Sequence, residues 1–177
     1  MTKKQLEEIL NEHKLWLNSS QQMGKRADFS YMDLKGVNLE GADLKGANLE
    51  YANLRGAYLG GADLEDANLN YAILIGAKLG YANLRGADLK GANLEGVDLI
   101  GVNLKGSNLE DTGLIYFKGP CHNGVYHPKD KVLYIGCEVH SLQHWLENYV
   151  DIGKKHKYTD SQIEVYGQWI KSLKELK

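Results

Sequence analysis

One feature constrains this chain more than any other: a five-residue period that runs without a break. From Ala27 to Tyr116 the sequence divides into 18 units with no insertion or deletion. Ala42-Asp43-Leu44-Lys45-Gly46 and Ala92-Asn93-Leu94-Glu95-Gly96 are examples. The first position is Ala in 12 of the 18, the second is mostly Asp or Asn, and the fifth is mostly Gly, with Tyr or Asp as the usual substitutes. The third position is Phe29 once, then Leu34, Leu39, Leu44, Leu49, Leu54, Leu59, Leu64, Leu69, Leu74, Leu79, Leu84, Leu89, Leu94, Leu99, Leu104, Leu109 and Leu114.

Such a period excludes both simple secondary structures. Five residues advance a helix by about 500°, so successive leucines leave any single stripe. A flat strand fails because an odd period flips Leu to the opposite face in each unit. A chain that bends every five residues keeps every Leu inside, with Ala beside it and Gly at the bend. Successive turns then stack about 4.8 Å apart through backbone hydrogen bonds. The expected fold is an all-β solenoid in which each layer touches only its neighbours. The A(D/N)LxG pattern over these 90 residues resembles the pentapeptide-repeat proteins. That resemblance implies a right-handed, quadrilateral β-helix with four units per coil. The 18 units then make about 4.5 coils, roughly 22 Å long at the spacing between strands.

Four units per coil place residues 20 apart on one face. One face then carries Tyr31, Tyr51 and Tyr71 in a column with Asp28, Glu50, Asp88, Glu110 and Asp111 around it, against the single base Lys90. This is the candidate protein-interaction face. Two readings of it stand: a docking surface, or tyrosines that cover sheet edges among acids that keep the coil soluble. Ile73 and Ile75 form a second, smaller apolar patch. The repeat block holds 13 acidic residues against 7 basic ones, a net charge of −6.

The flanks divide the chain into 1–26, 27–116 and 117–177. Residues 2–18 predict an amphipathic helix that covers the open end of the coil, with Thr2 and Gln5 as a capping box. Its His13 and Trp16 read as packing residues. After Gly119-Pro120, Val125-Tyr126 and Val132–Ile135 predict a β-hairpin about Pro128-Lys129-Asp130. Ser141 and Thr159 then head two amphipathic helices. The tail is expected to dock on the last coil, and its sequence resembles segments of phage- and prophage-associated small proteins, which implies no activity.

Charge and cysteine usage narrow the function. The net charge of −2 opposes direct nucleic-acid binding through bulk positive charge. Two cysteines, no long apolar run and a charged N-terminus point to a cytoplasmic protein away from the membrane. Cys121, His122, His127, Cys137, His140 and His144 cluster within 24 residues. The spacing Cys137-x2-His140-x3-His144 is one that metals accept, but paired CxxC knuckles are absent. The reading assigns no metal, no cofactor and no catalytic residue, and leaves the metal question of the 121–144 cluster open. No phosphate-binding loop or dinucleotide fingerprint is present, and apparent GxxxxG matches follow from the period itself.

The expected function is a non-enzymatic protein-interaction or scaffold module, monomeric or weakly homodimeric, with an unknown protein partner and no small-molecule substrate. The resemblance supplies an alternative: some pentapeptide-repeat proteins mimic duplex DNA and bind type II topoisomerases such as gyrase.

Overall fold

The computed structural model describes residues 1–176. They fall into two compact units, Met1–Gly113 and the residues from Leu114 onward. In the first unit, isolated parallel bridges join residues 20 apart, so each coil takes four pentapeptides. The column Asp28, Asn48, Asn68, Asp88 and Asn108 is linked step by step through four such intervals.

The unit Ala47–Tyr51 shows why the motif takes its form. The N–H of Ala47 donates to the Leu44 carbonyl at 2.9 Å and closes the turn. Asn48 N–H donates back to Ala27 at 2.9 Å, while Leu49 and Tyr51 N–H donate forward to Asn68 and Asn70 at 2.7 and 2.9 Å. The remaining donor, Glu50 N–H, is taken by the Asn48 side chain at 3.3 Å. Every N–H of the unit is therefore paired, and the last one requires a short side-chain acceptor two residues earlier. That requirement is why Asp or Asn holds the second position.

The fifth residue of every unit from Tyr31 to Asp111 has a positive φ, which turns the corner of the coil. Glycine occupies 11 of these 17 corners because it adopts that conformation without strain. Inside, Phe29 and the leucines from Leu34 to Leu104 are buried, with every first-position alanine but Ala42 between them. Leu109 and Leu114, placed in the ladder by the sequence, are only half-buried. The regular coil also stops short of the expected boundary at Tyr116. In the last unit Gly113 replaces the Asp or Asn that would hold the fourth N–H, and Ile115 and Tyr116 enter a strand of the second unit.

Helix α1, Lys3–Asn18, opens the first unit with Thr2 and Gln5 in a reciprocal capping box. His13 is its one buried residue, and its Nδ1 accepts the Ala27 N–H at 3.0 Å.

The second unit corrects the expected hairpin. It is a four-stranded antiparallel sheet, β1 (Ile115–Phe117), β2 (Gly124–His127), β3 (Val132–Ile135) and β4 (Glu138–Ser141), paired in sequence order. β1 and β4 extend the predicted β2–β3 hairpin at its two sides, with Ile115 opposite Tyr126 and Ile135 opposite Glu138. Helices α2 (Leu142–Lys155) and α3 (Asp160–Ser172) begin at the Ser141 and Thr159 caps, and a short 3₁₀ turn, Leu173–Glu175, follows. The core gathers Tyr126, Leu133, Ile135, Trp145, Tyr166, Ile170 and Leu173. Trp145 fixes α2 to the sheet by donating from Nε1 to the Leu133 carbonyl at 2.9 Å. Gly124 is required where it stands, since a Cβ there would lie 2.3 Å from the Trp169 ring.

Leu64 sits mid-stack and fully buried. Leu64→Ala is expected to destabilise the first unit by about 2–5 kcal/mol, with a smaller loss for Leu109→Ala at the half-buried end. Chemical denaturation of the two variants measures the difference.

Candidate functional site

The structure places Tyr31, Tyr51 and Tyr71 in one stacked column. Successive ring centroids are 5.0 Å apart and the planes differ by 11° and 14°. The rings remain 73%, 43% and 43% exposed. All three residues sit at coil corners with φ between 55° and 58°, a region that costs a non-glycine residue roughly 1–2 kcal/mol. The column ends on Gly91, where the Tyr71 ring leaves no room for a side chain: a Cβ would lie 2.5 Å away. Desolvation among its neighbours pushes the Tyr51 phenol up from its ordinary value, with help from Tyr71, Tyr31 and Glu50. The ladder therefore offers neutral hydroxyl groups and ring faces.

The acids around the ladder divide into bound and available groups. Asp28 accepts the Ser30 N–H and the Asn48 amide, both at 3.0 Å, and the Ser30 side chain and N–H, with Asn48, hold its carboxyl below the usual range. Asp88 accepts Lys90 N–H at 3.2 Å and the side-chain amides of Asn70 and Asn108, each at 3.0 Å. Both aspartates thus serve the coil's own hydrogen-bond ladder. Glu110 pairs with Lys90 at 2.8 Å. Glu50 lies next to Tyr51 in the chain, half-buried, and Asp111 is exposed at a corner with φ 61°. The face keeps its negative sign, but three of its five acids already have partners.

The Cys/His segment of the second unit is organised differently from a metal centre. Among the described residues no group of three or more His, Cys, Asp or Glu is placed to share a metal ion. Cys121 and Cys137 are free and exposed. His122 Nδ1 meets the Tyr158 hydroxyl at 2.6 Å, and His127 lies 3.3 Å from Asp130. His140 and His144 stack with centroids 4.3 Å apart.

The organising residue is one that sequence reasoning passed over. Glu138 Oε1 accepts from Lys155 Nζ at 2.8 Å and meets His156 Nε2 at 2.7 Å, while Oε2 meets His140 Nε2 at 3.0 Å. Lys155, then His156 and His140, hold its carboxyl down at about 2. The pairing ties the start of β4 to the end of α2. A cavity of about 50 Å³ lies beside it, lined by His122, Cys137, Glu138, His156 and Tyr158 among others. It has space for a few waters at most. Burial and the neighbouring Tyr166 push the Tyr158 phenol up to about 12, which keeps it neutral. The cluster is a structural fastening between β4 and α2.

Among known families, the one described as "Pentapeptide repeats" matches residues 25–61, 47–80 and 77–112. The match ends before the second unit and lends nothing to the phage-associated resemblance of that tail. Among solved structures the chain is similar to the pentapeptide repeat protein Rfr23 from the cyanobacterium Cyanothece 51142. Identity is 42% over 51% of this chain and 62% of that one, with a TM-score of 0.50. It is also similar to HetL from the cyanobacterium Nostoc sp. strain PCC 7120, a pentapeptide repeat protein involved in heterocyst differentiation regulation. Identity there is 39% over 49% of this chain and 42% of that one, with a TM-score of 0.47. A pentapeptide repeat protein from the thylakoid lumen of Arabidopsis thaliana is 32% identical over 48% of this chain and 66% of that one, with a TM-score of 0.43. The chain spans less than two thirds of the length of each. No curated protein matches. Among the described residues no helix is long and apolar enough to cross a membrane.

Glu138 generates a pH prediction. Its folded value lies below the ordinary 4.5, so its contribution to stability is complete above about pH 4.5 and is lost as pH falls toward about 2. Thermal melts across that window should show the second unit weakening, and Glu138→Gln should flatten that part of the dependence.

Proposed function

Over residues 25–112 this chain belongs to the pentapeptide-repeat family, and from that premise we propose that it is a non-enzymatic protein-interaction module. The tyrosine ladder is its contact face. The observation that carries this reading is the conflict between Tyr31, Tyr51 and Tyr71 and the corners they occupy. Glycine serves the same corner elsewhere in the coil, and stacking, worth about 0.5–1.5 kcal/mol per pair, offsets only part of the backbone cost. Aromatic side chains held exposed against local preference suit recognition, since Tyr combines a large apolar area with a hydroxyl.

The chemistry of the partner follows from the face. It is a protein surface that offers groups for the ring faces and hydroxyls, with cationic side chains favoured by Glu50 and Asp111. The coil's net negative charge disfavours nucleic acid as the direct ligand, and its interior is filled by Leu and Ala. We read the coil as right-handed and quadrilateral, as in the family. Two exposed free cysteines suit a reducing compartment such as the cytoplasm. The alternative of a DNA-mimicking topoisomerase binder draws on the coil's acidic balance, yet Asp28, Asp88 and Glu110 are engaged within the coil.

Affinity capture from a lysate tests the reading. The full chain is compared with a Tyr31→Gly/Tyr51→Gly/Tyr71→Gly variant, whose corners keep a residue suited to positive φ. A protein retained by the wild type and reduced at least tenfold by the variant is the expected outcome. Equal capture by both chains overturns the tyrosine face. Capture of topoisomerase subunits that survives Tyr→Gly but falls with Glu50→Gln/Asp111→Asn favours the alternative.

A further inference from the structure

One buried titratable group, His13, lies outside both the tyrosine face and the Glu138 cluster. His13 is the single buried residue of the 16 in α1, with an exposure of 0%. The other apolar residues of that helix, Leu6, Ile9, Leu10, Trp16 and Leu17, are half-buried, and Leu15 is exposed. His13 is therefore the most deeply buried attachment of α1, beside Trp16 packed over Gly46 of the coil and the Lys25 N–H donated to the Glu12 carbonyl at 3.2 Å. Its Nδ1 accepts the Ala27 N–H at 3.0 Å, at the residue where the repeat begins. Its ring stacks on Trp16 with centroids 5.4 Å apart and planes 16° from parallel.

This bond fixes the protonation state. A ring whose Nδ1 accepts must be neutral, with its proton on Nε2. Nε2 is itself buried with no hydrogen-bond partner among the described residues. Protonation would put a second N–H on Nδ1, pointing at the Ala27 N–H. Two donors would then face each other in a site closed to water, and a positive charge would be buried with them.

The surroundings only partly compensate that charge. From the coil, the Asp43 carboxylate and the Lys45 backbone carbonyl favour the charged ring, and the Arg26 guanidinium opposes it. The Lys45 carbonyl does so without closing a hydrogen bond to Nε2. Trp16, the ring packed against His13 from α1, carries no charge. Burial is the largest influence, and the imidazole is pushed below its ordinary 6.5.

We propose that His13 is a protonation latch: neutral, it fastens α1 to the first coil, and protonated, it releases α1 and uncovers the N-terminal edge of the solenoid. The sign follows from linkage. A group that binds protons less readily when docked gives its full contribution above the ordinary imidazole value and loses it as pH falls below that value. The ion pairs Lys3–Glu7 and Lys4–Glu8 on the outer face of α1 are highly exposed and add little.

The test is an NMR titration of the full chain from about pH 7.5 to about pH 5, the range over which imidazole changes charge. The expected result is that the His13 ring protons, the Ala27 amide and the α1 amides change together with one midpoint below 6.5. The α1 amides should also lose at least about tenfold of their exchange protection, corrected for the intrinsic rate at each pH. In His13→Gln the side-chain oxygen accepts the Ala27 N–H at any pH, so α1 should stay docked at about pH 5. The latch is refuted if the wild-type α1 resonances do not move in this range, or if they move equally in His13→Gln. If His13→Gln fails to hold α1 even at neutral pH, the wild-type midpoints decide. Coincidence of the ring and helix transitions supports the latch, and separate midpoints overturn it.

Discussion

The coil depends on one constraint: in a unit such as Ala47–Tyr51 all five backbone N–H groups find acceptors, four of them in the backbone. Three donate to neighbouring coils and one closes the turn, as in Ala47–Tyr51. The fifth needs the side chain of Asp or Asn, as Asn48 provides for Glu50. The one position of the unit that needs a side-chain acceptor is therefore the one the hydrogen bonds write into the sequence. The Leu/Ala interior then follows from what remains, one large and one small position facing inward per unit.

The same ladder governs the surface charge. An acid at the second position is both a charge and an internal acceptor, and Asp28 and Asp88 show the second role dominating. Counting acids on a face therefore overstates what a partner would meet. Groups at the fourth and fifth positions, such as Glu50, Tyr51 and Asp111, are freer of this duty and better placed to carry recognition. The second unit shows the converse case. Glu138 accepts from three side chains drawn from β4 and the end of α2, and its charge is spent on holding those elements together.

How far the sequence could be read depended on the range of the interactions involved. The run from Phe29 to Leu104 was legible because a strict period leaves few ways to bury a leucine in every unit. The caps at Thr2, Ser141 and Thr159 were legible because the bonds that define them span three residues. The last repeat misled: Leu114 keeps the pattern, but Ile115 and Tyr116 pair with β2 and the chain leaves the coil. β4 was missed because Glu-Val-His-Ser has little alternation of its own and becomes a strand by pairing with β3. The partnership of Glu138 and His156 spans 18 residues and two elements, so no local signal could disclose it.

The 20-residue circuit of the coil also governs which changes of length the protein can absorb. Removing or duplicating 20 residues would return every later side chain to its own column, so Tyr31, Tyr51 and Tyr71 could gain or lose a neighbour without disturbing the rest. Removing five would keep a leucine facing inward in every unit, yet carry all downstream residues one side round the coil and re-pair the side chains that meet 20 residues apart. Such a deletion would display a different pattern of faces. The repeat thus has two reading frames at once: one of five residues that decides whether the chain folds, and one of twenty that decides what it shows.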